Sequence, residues 1–336
     1  MKNLMHPQTP GLKVFVLAFL IFATLFSIPA NASAEPGGNS IKVDRVNFTV
    51  TLSGQEFTIA GYLYYQGSFR NRTLQVVVHG ATYNHTYWDA PTINGHDYSY
   101  ARFMARKKYA VLAIDQLGAG QSSRPDGDFV TRQQTVESLH QVLASLRAGS
   151  NPTGYAFEKI VLVGHSFGSI NAIFAQAQHH DADALVTTGY GHVPHVLPIP
   201  IEFVVALLNG PPYFTLPPEF RTALFYHAAG ADPDVIAFDN ANLADELTRG
   251  QVATTFFDIF NDPAGQVTGP VLVQLGEFDA LWPSLYAGGE AAFWTSASSV
   301  TVQSLLNVGH DFNLHLENET GWRQIDEWIA GTVGQR

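Results

Sequence analysis

Short runs of apolar residues alternate along most of this chain with longer stretches that favour helices. The runs are rich in Val, Ile and Leu and occupy residues 74–79, 110–115, 160–164, 184–188, 271–275 and 301–306. Continuous apolar runs of this kind are typical of strands buried on both faces, as in a parallel sheet covered by helices. Two earlier segments, 45–52 and 57–65, are rich in β-forming residues around Ser53-Gly54 and predict a hairpin. The pattern therefore predicts an α/β fold with a mostly parallel sheet flanked by helices.

One connection between the runs is far longer than an ordinary loop. Between residues 191 and 269 the chain shows no clear strand, and prolines separate apolar, helix-like pieces at 202–209, 219–228, 233–240 and 244–260. We expect residues 191–269 to form a helical cap inserted into a core made of residues 35–190 and 270–336. The apolar face of this cap or lid would line a pocket and gate access to the strand ends. The alternative is a helical subdomain that contributes only to stability.

The first 34 residues have the features of a secretory signal peptide. Lys2 and Lys13 precede an apolar run from 14 to 28, and Ala32-Ser33-Ala34 supplies the small side chains of a cleavage site. The run is short for a membrane span, which disfavours the alternative of an uncleaved anchor. We expect cleavage near Ala34 and a protein that is secreted, or periplasmic in a Gram-negative source, with no membrane span afterwards.

Charge and composition narrow the classes of partner. Of the 18 basic and 29 acidic side chains, residues 1–34 hold two basic and no acidic ones, so residues 35–336 carry a net charge of −13. This charge disfavours nucleic acid and anionic membrane surfaces as partners. The chain has no cysteine, which excludes disulfides, thiol catalysis and cysteine metal ligands. Sequons that would carry glycan only in a eukaryotic secretory pathway begin at Asn47, Asn71, Asn84 and Asn318.

The most informative motif is Gly164-His165-Ser166-Phe167-Gly168. It ends an apolar run and precedes a helix-like stretch. In this context G-x-S-x-G is the signature of a nucleophile elbow, a sharp strand-to-helix turn with a serine at its apex. The turn brings backbone close to both glycines, where a Cβ would clash. Ser166 is therefore the predicted nucleophile.

A serine nucleophile needs a base, and the base needs an acid that orients it. Asp279 follows the run 271–275, and His310 follows the run 301–306, so the chain order is Ser, Asp, His. Functional groups of parallel sheets lie just beyond the carboxyl ends of strands, which is where all three residues fall. We expect Asp279 to orient His310, and His310 to accept the Ser166 proton.

Other residues compete for these roles. Glu277 shares the loop of Asp279, but a carboxylate three residues after the strand-end glycine fits the motif better. His315 falls on the following helical stretch, where we expect it to pack or face solvent, and we expect His165 to support the elbow. Looser pairings could suggest a metal, but such spacing is typical of exposed faces and caps, so no metal site is predicted. These pairings are His179-His180 with Asp181 and Asp183, and His192 with His195.

An oxyanion hole needs two backbone N–H groups that converge on one point. One should belong to Phe167, directly after the nucleophile. The other should follow the run 74–79, where the sequence reads His79-Gly80-Ala81-Thr82, and Ala81 is the predicted donor. Asp115, in a glycine-containing turn after the next run, is expected to be structural rather than catalytic.

Taken together, the motifs resemble those of α/β-hydrolase fold enzymes of the capped serine hydrolase type, over residues 42–332. The motifs are His79-Gly80, Asp115-x-x-Gly118-x-Gly120-x-Ser122, Gly164-x-Ser166-x-Gly168, Gly276-x-x-Asp279 and Gly309-His310. The resemblance implies an eight-stranded sheet, a cap inserted after the sixth strand, and no cofactor. Family members that dehalogenate or open epoxides place aspartate at the nucleophile, so Ser166 argues against both activities. The lipase-type His-Gly-Gly-Gly loop is absent, which leaves the oxyanion donors less defined than the triad.

The expected activity is hydrolysis of a carboxylic ester or lactone through an acyl-enzyme on Ser166. Aromatic side chains of the cap and nearby loops favour a mid-sized apolar substrate. The candidate pocket residues are Tyr83, Tyr87, Trp88, Phe214, Phe225, Tyr226 and Trp282. An amidase, peptidase or perhydrolase would use the same triad. A non-catalytic binding protein on this fold is an alternative from another class, although it should lack a triad member.

Overall fold

A mostly parallel sheet lies at the centre of the molecule. The computed structural model of the protein describes residues 40–256, 259 and 261–334, so the predicted signal peptide lies outside the described residues. The strands that build the sheet run across it in the order β1-β2-β4-β3-β5-β6-β9-β10. They are β1 (Ile41–Leu52), β2 (Gln55–Gln66), β3 (Leu74–Val78), β4 (Ala110–Ile114), β5 (Ile160–His165), β6 (Ala184–Thr188), β9 (Pro270–Gly276) and β10 (Ser299–Leu305).

The antiparallel part of the sheet is the hairpin of β1 and β2. The strands pair from Ile41 opposite Gln66 to Leu52 opposite Gln55, and β2 also pairs antiparallel with β4. The connecting Ser53 and Gly54 both have positive φ, 49° and 78°, a conformation that a tight hairpin turn requires. Burial alternates along the second half of β1, which indicates a strand with one face on the core.

The remaining strands pair in parallel. Every residue of β3, β4, β5 and β6 is buried, because helices flank the sheet and leave neither face of these strands to solvent. The helices of the core are α1 (Tyr100–Arg106), α2 (Arg132–Ala148), α3 (Phe167–His179), α8 (Ala287–Glu290) and α9 (Asn318–Thr332). Parallel pairing aligns the carboxyl ends of six strands, β3, β4, β5, β6, β9 and β10, at one edge of the sheet, and the candidate site is built there.

The long connection between β6 and β9 is mainly helical. It contains α4 (Ile201–Leu208), α5 (Pro218–Phe225), α6 (Pro233–Asn242) and α7 (Arg249–Thr255). It also contains the two-residue strands β7 (Tyr213–Phe214) and β8 (Leu247–Thr248), which pair antiparallel, whereas the sequence showed no strand here. The helix expected over 244–260 begins later, as α7, because Thr248 is paired in β8. The Thr248 side chain then accepts a hydrogen bond from the N–H of Gln251 and forms a capping box at the start of the helix.

The observed fold confirms the predicted α/β class. Each apolar run corresponds to a strand with bounds that differ by at most two residues, as for the run 301–306 and β10. The agreement arises because a buried parallel strand shows itself locally as a continuous apolar run.

Candidate active site

Ser166 stands at the apex of the turn between β5 and α3. Its backbone has φ 52° and ψ −120°, a strained conformation for a residue with a side chain. Gly164 and Gly168 permit this turn, since a Cβ on Gly164 would lie 2.5 Å from the Cα of Ser169, and one on Gly168 would lie 2.3 Å from the carbonyl oxygen of Val78. The Ser166 N–H donates to the carbonyl of Thr188 at 2.8 Å, which ties the elbow to β6.

The structure brings Ser166, His310 and Asp279 into one hydrogen-bonded chain. The Ser166 hydroxyl donates to His310 Nε2 over 2.7 Å, and His310 Nδ1 donates to Asp279 Oδ2 over 2.9 Å. All three side chains are buried. This is the connectivity that activates a serine hydroxyl by a neighbouring imidazole.

The electrostatic interactions among these hydrogen-bonded residues favour an ionised Asp279. Its Oδ1 accepts hydrogen bonds from the N–H groups of Leu281 at 2.8 Å and Trp282 at 3.0 Å. Burial opposes the charge, but His310 and these backbone donors outweigh burial and lower the pKa of Asp279 below its ordinary value. Burial also opposes a charged His310, and the Asp279 carboxylate outweighs it and raises the pKa of His310. The pair can therefore hold the positive charge that a base acquires when it takes the serine proton.

The competing acid and bases are placed elsewhere. Glu277 is exposed and accepts a hydrogen bond from the N–H of Asn307 at 2.9 Å. His315 is buried, and its Nε2 accepts from the N–H groups of Gly309 at 3.0 Å and His227 at 3.1 Å, so it shapes the loop that carries the base. His165 is buried below the elbow, where its ring stacks on another aromatic ring.

The two expected oxyanion donors lie beside Ser166. Phe167 is the first residue of α3, and Ala81 lines the same cavity as Ser166. Gly80 lets this loop approach closely, because a Cβ there would lie 3.2 Å from the Cβ of Ser166. Among the hydrogen bonds of residues 40–256, 259 and 261–334, none uses the N–H of Phe167 or Ala81 as donor. Both donors are therefore available to a substrate oxygen.

The neighbouring turn is built by Asp115. Its Oδ1 accepts from the N–H of His85 and its Oδ2 from the N–H of Gln121, each at 2.8 Å. Gly120 packs directly on this carboxylate, with a virtual Cβ 2.3 Å from Asp115 Oδ2. The contacts of Asp115 are those of a residue that orders a turn.

An apolar cavity of about 120 Å³ opens above Ser166. Three of the expected pocket residues, Phe214, Phe225 and Trp282, lie on its wall. Most of the remaining wall comes from residues of the 191–269 segment that the sequence interpretation did not single out. They are Ile199, Phe203, Val204, Leu207, Leu216, Phe220, Leu224, Leu247, Val252, Thr255, Phe256 and Ile259, with Leu281 from the core. The dense apolar composition of α4 was the sequence signal that could have identified several of them.

Four of the expected pocket residues, Tyr83, Tyr87, Trp88 and Tyr226, do not lie on the wall of this cavity. Tyr83 and Tyr226 direct their hydroxyl groups to the carboxylate of Asp239, both at 2.9 Å. Tyr87 stacks on His165, and Trp88 packs edge-on against Tyr87. Their aromatic character was correctly associated with burial, but burial alone does not distinguish the core from a cavity wall.

No cluster of three or more potential metal ligands occurs within the described residues. His192 instead lies between two carboxylates, with Nδ1 at 2.5 Å from Glu290 and Nε2 at 3.0 Å from Asp262. His195 directs its ring to the carbonyl groups of Val193 and Leu281.

Comparison with known proteins assigns the chain to a family. The sequence profile of the alpha/beta hydrolase family matches residues 75–320, most of the chain. The chain belongs to this family. No curated protein matches this alpha/beta hydrolase by sequence.

Several solved structures are similar to this member of the alpha/beta hydrolase family. An esterase from Thermogutta terrifontis with malate bound has 19% identity and a TM-score of 0.57, over 86% of this chain and 99% of that one. A monoacylglycerol lipase from Paleococcus ferrophilus has 17% identity and a TM-score of 0.58, over 87% and 99%. A soluble variant of the monoglyceride lipase of Saccharomyces cerevisiae with a substrate analog has 13% identity and a TM-score of 0.64, over 85% and 94%. At these identities the likeness shows a common fold.

The part of this alpha/beta hydrolase that the structure describes has no helix with the length and apolar character needed to cross a membrane.

Proposed function

We propose that the protein is an exported serine hydrolase that cleaves a carboxylic ester or lactone through an acyl-enzyme on Ser166. The observation that carries the proposal is the buried chain from Ser166 through His310 to Asp279. In the first step the Ser166 oxygen bonds to the substrate carbonyl carbon while its proton passes to His310 Nε2. The carbon–oxygen bond to the leaving group then breaks, and His310 gives that proton to the departing oxygen. In the second half of the reaction a water oxygen bonds to the acyl carbon while His310 Nε2 takes its proton. The bond from that carbon to the Ser166 oxygen then breaks, and His310 returns the proton to Ser166 as the acid leaves.

The negative charge on the carbonyl oxygen would be stabilised by the N–H groups of Phe167 and Ala81. Both lie beside Ser166, and the positive end of the α3 dipole adds to their effect. Loss of one such donor typically lowers the reaction rate by roughly two to three orders of magnitude.

The cavity supports a mid-sized apolar substrate. Phe214, Phe225 and Trp282 and the other wall residues offer almost no polar group beyond Ser166 and Thr255. We assign residues 191–269 as the cap that covers this cavity, inserted into the core of 35–190 and 270–336. The esterase and lipase names of the similar structures agree with ester hydrolysis. Residues 1–34 are proposed to direct export and to be removed near Ala34.

Two alternatives are tested together with this proposal. An amidase, peptidase or perhydrolase would use the same three residues and differ only in the bond it cleaves. A non-catalytic binding protein would retain the cavity without reactivity at Ser166.

The proposal is tested by intact mass after treatment with a fluorophosphonate, a probe that phosphonylates activated serines. The parent protein should gain one adduct, and Ser166→Ala should gain none. Ser169→Ala is the matched control, because Ser169 is a buried serine of the same helix whose hydroxyl is hydrogen-bonded to the carbonyl of Thr188. A panel of esters, lactones and amides then separates the hydrolase classes. A folded parent protein that gains no adduct would favour the alternative of a non-catalytic binding protein.

A further inference from the structure

A buried cluster of polar side chains joins α5 and α6 to the two loops that hold His310 and Ala81. We call it the Asp311 cluster, and all of its members are more than nine-tenths buried. It consists of Tyr83 from the loop after β3, Arg221 of α5, Tyr226 just after α5, Asp239 of α6 and Asp311. None of the steps proposed for the reaction uses it, although Asp311 is the residue next to His310.

The hydrogen bonds identify Asp239 as the ionised carboxylate of the cluster. Arg221 Nη2 donates to Asp239 Oδ1 at 2.7 Å, and the Tyr226 hydroxyl donates to Asp239 Oδ2 at 2.9 Å. The second amino group of Arg221 donates to the Thr82 hydroxyl at 2.7 Å. The single cation is therefore matched by Asp239, and within the described residues no Lys or Arg forms an ion pair with Asp311. A second buried carboxylate without a cation would be strongly disfavoured.

The Tyr83 hydroxyl contacts two carboxyl groups, and both contacts can be hydrogen bonds only if one of these groups is protonated. Its oxygen lies 2.9 Å from Asp239 Oδ2 and 2.5 Å from Asp311 Oδ2. A phenol has only one hydrogen to donate, so it serves one of these two contacts. The other contact is a hydrogen bond only if the carboxyl group supplies the hydrogen. Since Asp239 already accepts from Arg221 and Tyr226, the added proton belongs on Asp311.

The other oxygen of Asp311 leads to the same conclusion. Thr188 Oγ1 donates to the carbonyl of Gly164 at 3.1 Å and therefore accepts from His165 Nδ1 at 3.0 Å. This leaves His165 Nε2 as an acceptor that faces Asp311 Oδ1 at 3.5 Å. Neither of these two buried atoms has a hydrogen-bond partner in the described residues. A negative charge on Asp311 would strengthen the repulsion between these two acceptors, whereas a neutral acid with its proton on Oδ2 weakens it.

We propose that Asp311 is held as a neutral carboxylic acid whose proton completes a bridge through Tyr83 to Asp239, and that this bridge positions the His310 and Ala81 loops against α5 and α6. Its effect on catalysis rests on the proposed function. Backbone contacts reinforce the bridge, because the carbonyl of Phe225 at the end of α5 accepts from the N–H groups of both His310 and Asp311 at 2.9 Å.

The surrounding charges agree with this assignment. Burial raises the pKa of Asp311 above its ordinary value, against the opposing influence of His310, Tyr83, Arg221 and His315. Burial also raises the pKa of Asp239, and the charge of Arg221, which forms its ion pair with Asp239, opposes this rise. The titratable and charged groups that face Asp311 are Tyr83 and Tyr87 after β3, His165 of β5, Arg221 and Tyr226 at α5, Asp239 of α6, and His310 and His315 of its own loop. A carboxylic acid kept neutral by its surroundings is a known device for donating a hydrogen bond at neutral pH.

Of the two carboxyl groups that act on His310 within the described residues, a neutral Asp311 leaves Asp279 as the ionised one. Loss of the Asp311 proton at alkaline pH would remove the bridge and add a second negative charge next to the base. Asp311 is thus a positioning residue, and its contribution should be visible in the pH dependence of the reactivity of Ser166.

The test compares one substitution at two positions, Asp311→Asn and Asp239→Asn. Asparagine resembles the neutral acid, since its amide donates from the position of the carboxyl O–H. Asp311→Asn should therefore keep the melting temperature and label with the fluorophosphonate within about threefold of the parent rate, as expected for an isosteric change. Asp239→Asn leaves Arg221 buried without a counter-charge and should lower the melting temperature by about 10 °C. Across neutral to alkaline pH, labelling of the parent should decline at the alkaline end, and Asp311→Asn should remove that decline.

Several outcomes would overturn the proposal. One is a tenfold or greater loss of the labelling rate in Asp311→Asn, roughly the size expected if an ionised group is removed. The others are equal melting temperatures of the two variants, or an alkaline decline in labelling that Asp311→Asn leaves unchanged. A parent protein that does not label would refute the proposed function instead. The melting temperatures of the two variants would still decide which carboxyl is neutral.

Discussion

At the scale of single residues, the proposed nucleophile is held in a conformation that its own side chain disfavours. Ser166 has a positive φ of 52°, and glycines two positions before and after it allow the neighbouring backbone to approach. Such strain persists only where the surrounding structure enforces it, here through β5, α3 and the bond to β6. In this conformation the Ser166 hydroxyl donates its hydrogen bond to His310.

The choice between two nearby carboxylates can be tested at this scale. Asp279→Asn should lower kcat for an activated ester by about ten-thousandfold, because His310 loses the partner that holds its tautomer and its charge. Glu277→Gln is the matched control on the same loop, and it should change kcat by less than about threefold, as for an exposed substitution. Similar losses in both variants would contradict the assignment of Asp279.

The four sequons also differ at this scale. Asn47 and Asn71 are exposed, whereas Asn84 Nδ2 donates to Asp245 at 2.8 Å and Asn318 Nδ2 donates to two backbone carbonyls at 3.0 Å. Asn318 is buried and donates both amide hydrogens, so a sugar on its nitrogen would replace a hydrogen that the fold uses, whereas Asn84 donates one of its two. In a eukaryotic secretory host we therefore expect folded protein to carry no glycan at Asn318. Glycopeptide mass spectrometry checks this, and a glycan on Asn318 of active protein would contradict it.

At the scale of elements, a buried histidine joins both ends of the 191–269 segment to the core. His192 lies at its beginning, Asp262 near its end, and Glu290 belongs to α8. Burial opposes a charge on His192, but the hydrogen bonds and charges of Asp262 and Glu290 outweigh burial and raise the pKa of His192 to about 9. The imidazolium therefore holds the two crossings between the segment and the core together.

This histidine predicts a pH dependence of stability. Its pKa is higher in the folded protein, about 9, than its ordinary value of 6.5, so the stabilisation is complete below pH 6.5 and is lost as the pH rises through 9. The difference corresponds to about 3 kcal/mol of the free energy of unfolding. Thermal unfolding of the parent should show this decline, and His192→Gln should unfold at a lower temperature with less decline. The exposed His180→Gln is the control, and a variant at His192 that keeps the full decline would refute the role.

At the scale of the whole molecule, the absence of cysteine means that stability depends on the core and its polar networks. One continuous hydrophobic cluster extends from the hairpin strands through the sheet to α9, and smaller clusters lie under α4 and beside β10. Residues 35–336 carry a net charge of −13, which agrees with the uncharged substrate that we propose.

Export is the prediction that belongs to this scale. In a secreting host the protein outside the cells should begin at Glu35, because the small side chains at Ala32 and Ala34 suit signal peptidase. N-terminal sequencing and intact mass check this expectation. The Ala34→Asp variant should retain residues 1–34 or remain with the cells. A parent protein that keeps residues 1–34 and stays in the cell membrane would favour the alternative of an uncleaved anchor.

The fold could be predicted because its signals are local. A strand buried on both faces is a continuous apolar run, as in 160–164, and parallel strands must end at one edge of the sheet. Residues that directly follow such strands, Ser166, Asp279 and His310, were therefore expected near one another. The start of α7 could not be predicted in this way, since Thr248 belongs to β8, which pairs with a strand that lies 34 residues earlier.

The sequence by itself determined the order along the chain of the eight strands of the central sheet, the positions of the glycines at the elbow, and the three residues at the strand ends. Only the tertiary structure decided which aromatic side chains line the cavity, as Phe225 does, and which complete the core, as Tyr83 does. It alone brought Asp311, Tyr83 and Asp239 together and placed His192 between two acids. The physical reason is that hydrophobicity and turn chemistry act between neighbours in sequence. A shared proton or an ion pair depends instead on atoms whose distances are set by the packing of remote segments.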